Sequence, residues 1–220
     1  MTAPWPAVLG EVETLKLVLS GRSLARYGDG ELKMARDPGV GIKSQNADAR
    51  LSTRLRQILQ DSGDCLVGIP NIVSRTPKAE FWGKVRQWAG PLIPSRQYAS
   101  AFISRPDSAP WIDTDEYWDL VEQLWRGRAV TVVRGSGKAF TPDLMPGAGA
   151  ITEIVGPKNS AFSEYEALME RIGTPERVLL SLGPAATVMA VDLCAKGVHA
   201  IDVGHLGVFY RRRMTAEAVA

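Results

Sequence analysis

Along residues 8–19 the apolar positions Val8, Val12, Leu15 and Leu19 recur at helical spacing, and Ser20-Gly21 stops the run. Residues 23–27 read as a short strand that runs into the glycine-rich turn Gly28-Asp29-Gly30-Glu31. Residues 47–60 place Leu51, Leu55, Ile58 and Leu59 on one helical face, and 65–69 form a short apolar run stopped by Pro70. The alternation then repeats. Helices are expected over 78–88, 113–125, 163–171 and from Gly183-Pro184 to 196, with strands over 97–103, 129–133, 150–155, 177–182 and 199–203. Strands of five to seven residues alternating with longer helices predict βαβ units and a mostly parallel sheet. The fold class expected is α/β: one doubly wound sheet with helices on both faces, Rossmann-like, in a single domain over 1–220. In such sheets ligands gather beyond the carboxyl ends of the strands, so the residues there carry the functional search.

Composition narrows the class. Hydrophobic residues make up 45% and charged residues 23% of 220, which excludes general disorder. The longest uncharged stretch, 178–191, is shorter than the roughly 20 residues that cross a bilayer. No signal-peptide pattern opens the chain, so a soluble cytoplasmic protein is expected. A net charge of +2 does not suit a non-specific nucleic-acid binder. The basic run Arg211 to Arg213 is expected in a solvated terminal turn, with peripheral contact to an anionic lipid or polyanion as its alternative. Cys65 and Cys194 have no metal-ligand spacing and read as buried free thiols. Trp111, Trp118 and Trp125 are candidates for a ligand groove or a homodimer interface. Trp118 and Trp125, seven apart on one helix, are expected to pack in the core.

The strand ends carry the candidate chemistry. If 26–31 is extended, Asp29 and Glu31 project to the same side and suit a hard divalent cation, Mg²⁺ or Mn²⁺. Gly28 and Gly30 would let a phosphate approach the backbone, although Gly-Asp-Gly is also ordinary turn chemistry. Gly183-Pro184 opens a helix whose free amides suit a phosphate or sugar hydroxyl, or simply a capped buried helix. Asp202 and His205 reach the same edge; His205 is a candidate base, or a histidine satisfying loop backbone. Arg105 and Lys158-Asn159 add cationic and amide groups. Gly135-Ser136-Gly137-Lys138 is not a P-loop: Val132 stands where the motif needs glycine, and Ala139 follows the lysine. Lys33 breaks a dinucleotide fingerprint at the third glycine.

Four segments, SLARYGDGEL, ASAFISRPDSAPW, GPKNSAFSEYEALM and LGPAATVMAVDLCAKGVHAIDVGHL, give the chain a resemblance to the GT-D-type glycosyltransferases. The resemblance implies a Rossmann-like fold and sugar transfer from a nucleotide donor, a UDP-sugar, to a hydroxyl on a glycan or glycoconjugate. It also implies that Asp29 and Glu31, as the family's Asp-x-Glu pair, serve the divalent metal on the diphosphate. Arg26 and Arg105 would then add positive charge, with Asn159 and the amide at Gly183 as donor contacts. Where the family's central loop usually ends in Gly-Asn-Asp-Leu, this chain reads RGSGKAFTPDL. The rival reading is a non-catalytic nucleotide-sugar-binding module of a polysaccharide assembly system. Metal-dependent phosphoester hydrolysis would need more strand-end carboxylates than the chain supplies.

Overall fold

The structure, a computed structural model, describes residues 5–136 and 140–217; Gly137 and Lys138 of the rejected P-loop lookalike lie outside it. In chain order the elements are α1 (Glu11–Leu19), β1 (Leu24–Arg26), α2 (Asp29–Arg36), α3 (Ala49–Gln60) and β2 (Leu66–Ile69). There follow α4 (Ala79–Ala89), β3 (Ala99–Ser100), α5 (Asp115–Glu122), β4 (Val130–Gly135) and β5 (Ile151–Gly156). The chain continues through α6 (Tyr165–Ile172), β6 (Arg177–Ser181), α7 (Pro184–Cys194), β7 (His199–Asp202) and α8 (Leu206–Glu217).

Among the described residues, seven strands form one sheet in the order β3-β2-β1-β7-β6-β4-β5, and every pairing of these strands is parallel. The expected α/β architecture is therefore present. Every residue of β6 is buried, as befits a strand covered on both faces, and β5 at the sheet edge alternates exposed and buried positions toward its end. Helix α7 is buried along nearly its whole length and packs on β1 and β7, with α3 stacked outside it. Trp118 and Trp125 are core residues, as their spacing predicts. Cys65 is buried and Cys194 partly so, both as free thiols.

Three expectations fail for local reasons. The strand over 97–103 shortens to Ala99–Ser100, because Ser100 accepts a hydrogen bond from the Phe102 amide and turns the chain into a 3-10 segment, Ala101–Ser104. The turn at Gly28-Asp29-Gly30 is the first turn of α2. Arg211 to Arg213 lie inside α8 rather than in a terminal turn. The spacing Leu206, Tyr210, Met214 carried that helix, with Leu206 and Tyr210 buried.

The order of strands reverses direction between β1 and β7, the switch point at which doubly wound sheets bind ligands. These two strands share one ladder position, Leu24 with Ile201. Beyond it, side chains rather than backbone join their carboxyl ends.

At the opposite end of β7, the ring of His199 accepts a hydrogen bond at Nδ1 from Arg177 Nε (3.1 Å), and Nε2 lies 3.1 Å from the Arg22 carbonyl. Burial, reinforced by the Arg177 charge, lowers its pKa to about 4. The neutral ring therefore stabilises the fold above the ordinary histidine value, and that contribution disappears as pH falls through about 4. Between neutral pH and pH 4, wild type is expected to lose about 2 kcal/mol more than His199→Gln, a value discounted for the ring's partial exposure. Urea unfolding of both proteins across that range checks the difference.

Candidate active site

Beyond the carboxyl ends of β1, β6 and β7 lies a cavity of about 1640 Å³. Its wall includes Arg26, Gly28, Asp29, Gly30, Glu31 and Asp202, and also Arg105, Gly183 and His205. Asn159 does not line it; that side chain is exposed, and its neighbour Lys158 faces the cavity instead. Nine of the ten predicted site residues are thus brought to one place.

Arg26 ends β1 and reaches across the gap to β7. Its Nε donates to the Asp202 carbonyl (2.7 Å), Nη2 to Asp202 Oδ1 (3.2 Å), and Nη1 to the Ala101 carbonyl (2.8 Å) and to Ser104 Oγ. Four of its five N–H groups are used within the protein, so its first role is to tie β1, β7 and the 101–104 turn together. Asp202 is buried, and burial raises its pKa against the lowering effect of Arg26. Its Oδ1 also accepts from the Gly204 amide (3.0 Å). Gly204 has φ +44, and a Cβ there would lie 1.7 Å from Arg26 Nη2. Only glycine allows this guanidinium to lie against the loop.

The acidic pair differs from its expected geometry. Because Asp29 opens a helix, residues 29 and 31 face about 200° apart rather than the same way. Asp29 accepts an ion pair from Lys33 one turn on (2.7 Å), with about two-fifths of its side chain exposed. Glu31 turns back, and its Oε2 accepts from the Gly28 amide (2.9 Å), the one bond of a capping arrangement that a glycine N-cap allows. Burial raises the Glu31 pKa, and the neighbouring Asp202 charge raises it further. Gly28 leaves room for that carboxylate, since a Cβ would stand 3.0 Å from Oε2, while at Gly30 it would press within 2.9 Å of Ile42.

Among the described residues no three His, Cys, Asp or Glu side chains converge as a metal site. A divalent cation here would take one or two carboxylates from the protein and its remaining ligands from substrate phosphate and water, the common arrangement for Mg²⁺. The donor set fits that limited demand. Asp29 offers hard oxygen to the cavity, and a cation nearby would relieve the mutual repulsion of Glu31 and Asp202.

The wall is strongly basic for a chain of net charge +2: among the described residues, seven Lys and Arg side chains line it against three carboxylates. Arg105 is held by Asp107 through two bonds of 2.7 Å, which raises its pKa, and the Asp29 charge acts on it as well. Gly183, with φ +61, opens α7 into the wall, and its missing side chain leaves Ser44 close by. His205 is exposed on the loop between β7 and α8. Helix α8 supplies a further wall through Val208, Arg211 and Arg212; the basic run was visible in the sequence, but not its place at this cavity.

The GT-D glycosyltransferase fold family matches residues 24–218. This chain belongs to the GT-D glycosyltransferase family. GT-D relatives include "Probable glycosyl transferase Gly" of Streptococcus gordonii, 32% identical over 216 residues, covering 88% of this chain and 31% of that protein. "Glycosyltransferase GlyD" of Streptococcus pneumoniae serotype 4 is 29% identical over 227 residues, covering 92% of this chain and 27% of its own. This GT-D chain therefore spans about a third or less of the length of these curated relatives. A solved structure described as a new glycosyltransferase (DUF1792) from Streptococcus sanguinis superposes with a TM-score of 0.83 at 29% identity, over 96% of this chain and 85% of that one. Among the described residues of this GT-D chain, no helix is long and apolar enough to cross a membrane.

Proposed function

We propose that this chain transfers a sugar from a UDP-sugar to a hydroxyl on a glycan or glycoconjugate, with Mn²⁺ or Mg²⁺ on the donor diphosphate. The carrying observation is the cavity at the β1/β7 switch point, where Asp29 stands among basic side chains at the mouth of a family-typical sheet. When bound, the metal would neutralise charge developing on the departing diphosphate. Asp29 would be its first protein ligand; Glu31, turned back onto the Gly28 amide, would be the second only by giving up that bond or by acting through a water. Arg105, fixed in orientation by Asp107, faces the same charge, and the amides at the start of α7 beside Gly183 offer further hydrogen bonds. Arg26 acts mainly by holding the strand ends in register, with one N–H left for substrate.

The acceptor hydroxyl needs a group to take its proton. His205 is the first candidate because it is exposed to the cavity, whereas Asp202 is buried and bonded to Arg26 and Gly204. His205→Gln is expected to lower the transfer rate by about 10²-fold or more while leaving UDP affinity in place. Incubation with a panel of UDP-sugars and Mn²⁺, followed by assay of released UDP, tests the whole reading. Binding of UDP-sugars with no hydrolysis or transfer over a broad acceptor panel would instead favour the nucleotide-sugar-binding module. The internal commitment of Arg26 and Asp202 is the feature that keeps that rival in view.

A further inference from the structure

Of the seven cations lining the cavity, four are held by acids: Arg26 by Asp202, Arg105 by Asp107, Arg134 by Glu153 and Arg211 by Asp143. Among the described residues, Lys78, Lys158 and Arg212 form no ion pair. Two of these three stand beside exposed apolar side chains of the same wall. Phe81 follows Lys78 by three residues at the start of α4, and Val208 precedes Arg212 by one turn of α8. Both apolar side chains are 40% exposed. An apolar side chain next to an unpaired cation occurs here twice, on two helices, facing one cavity.

The two ledges are joined through ring contacts. Phe81 packs edge-on against Trp82 (5.0 Å), and Trp82 against Phe102 (5.2 Å) in the 101–104 turn. That turn leads into Arg105, whose guanidinium lies 6.0 Å from the Phe209 ring of α8; Arg212 lies 5.6 Å from the same ring. Asp107 is the acid within this arc, and it feels the charges of both Arg105 and Lys78. Lys78 sits at φ +59, in the left-handed region that non-glycine residues rarely adopt.

Size and charge both point to a second ligand. The cavity exceeds the roughly 300–1000 Å³ that a drug-sized ligand fills. On the donor reading above, a divalent cation and Arg105 already face the diphosphate, which leaves Lys78 and Arg212 as cations with no ion-pair partner among the described residues. We propose that the outer cavity between α4 and α8 binds the acceptor, and that the acceptor carries a phosphate ester attached to an apolar group. The phosphate lies between Lys78 and Arg212, and the apolar group lies on Phe81 and Val208. This assignment rests on the donor reading of the inner cavity.

The test uses the protein saturated with UDP and Mn²⁺ and titrates in hexyl phosphate, hexyl β-glucoside and inorganic phosphate by calorimetry. Hexyl phosphate is expected to bind at least about tenfold more tightly than either of the others, since only it offers both the charge and the chain. In a Lys78→Ala/Arg212→Ala protein that advantage is expected to vanish while UDP affinity stays within about twofold of wild type. Equal binding of hexyl glucoside, or of inorganic phosphate, overturns the assignment. A double variant that loses UDP affinity as steeply as hexyl phosphate affinity returns both cations to the donor and also overturns it. Wild-type protein that fails to bind UDP at all defeats the donor reading itself, a result separate from these.

Discussion

Asp29→Asn is expected to lower metal-dependent sugar transfer by about 10³-fold while the protein melts close to wild type. The two halves of that expectation have different physical sources. The activity loss follows because the amide has the shape of the carboxylate but neither its charge nor its affinity for a hard cation. The small stability effect follows from exposure: the Asp29–Lys33 pair is a surface contact one helical turn apart, worth about 0.3–0.5 kcal/mol. Its position at the first turn of α2 adds a macrodipole contribution of similar size. Glu31→Gln provides the contrast. The amide oxygen still accepts from the Gly28 amide, and removing a negative charge beside Asp202 relieves repulsion, so stability is expected to hold or rise slightly. If Glu31 is a metal ligand, its variant nevertheless loses turnover. Initial rates against Mn²⁺ concentration, paired with thermal melts, separate the two residues. An Asp29→Asn protein with wild-type rates would remove the carboxylate from the mechanism.

Much of the scaffold was legible because its elements satisfy local rules and tertiary demands together. β6 reads as RVLLS and is buried throughout; Asp48 precedes α3, and its side chain accepts from the Leu51 amide, as an N-cap should. The errors arose where a short-range contact decided the matter. Gly-Asp-Gly-Glu suits a turn and a helix start equally well by composition, and the bond from the Gly28 amide to Glu31 selects the helix. That choice rotates Glu31 away from Asp29, a change no count of spacing in an extended chain could foresee. Ser100 likewise ends β3 by bonding ahead to Phe102, held in place by Glu11 from α1, 89 residues earlier. The gathering of the site at strand ends was readable from topology. The internal use of Arg26 was not, because its partners lie 75 to 176 residues away. Only the pairing of strands brings them within reach.

That long-range convergence makes Gly204 the most consequential glycine of the site. Gly204→Ala is expected to destabilise the protein by about 3 kcal/mol, lowering the melting temperature by roughly 6–12 °C for a chain of this size. A Cβ at 204 would overlap Arg26 Nη2 at 1.7 Å and approach Cζ at 2.8 Å, and the backbone already sits at φ +44. The guanidinium must therefore leave, giving up the Asp202 carbonyl, Asp202 Oδ1, the Ala101 carbonyl and Ser104. Most of the cost is electrostatic, because a buried Asp202 is left charged and without its partner. Two consequences distinguish this from simple crowding. First, Asp202→Asn in the Gly204→Ala background should recover part of the loss, since it removes the stranded charge. Second, the penalty should shrink in acid. Burial already raises the Asp202 pKa, and loss of Arg26 raises it further, so protonation relieves the variant as pH falls while wild type still holds its ion pair. Thermal melts of the single and double variants at neutral and mildly acidic pH measure both effects. Equal melting of wild type and Gly204→Ala would mean that the β1–β7 edge does not depend on the Arg26 clamp.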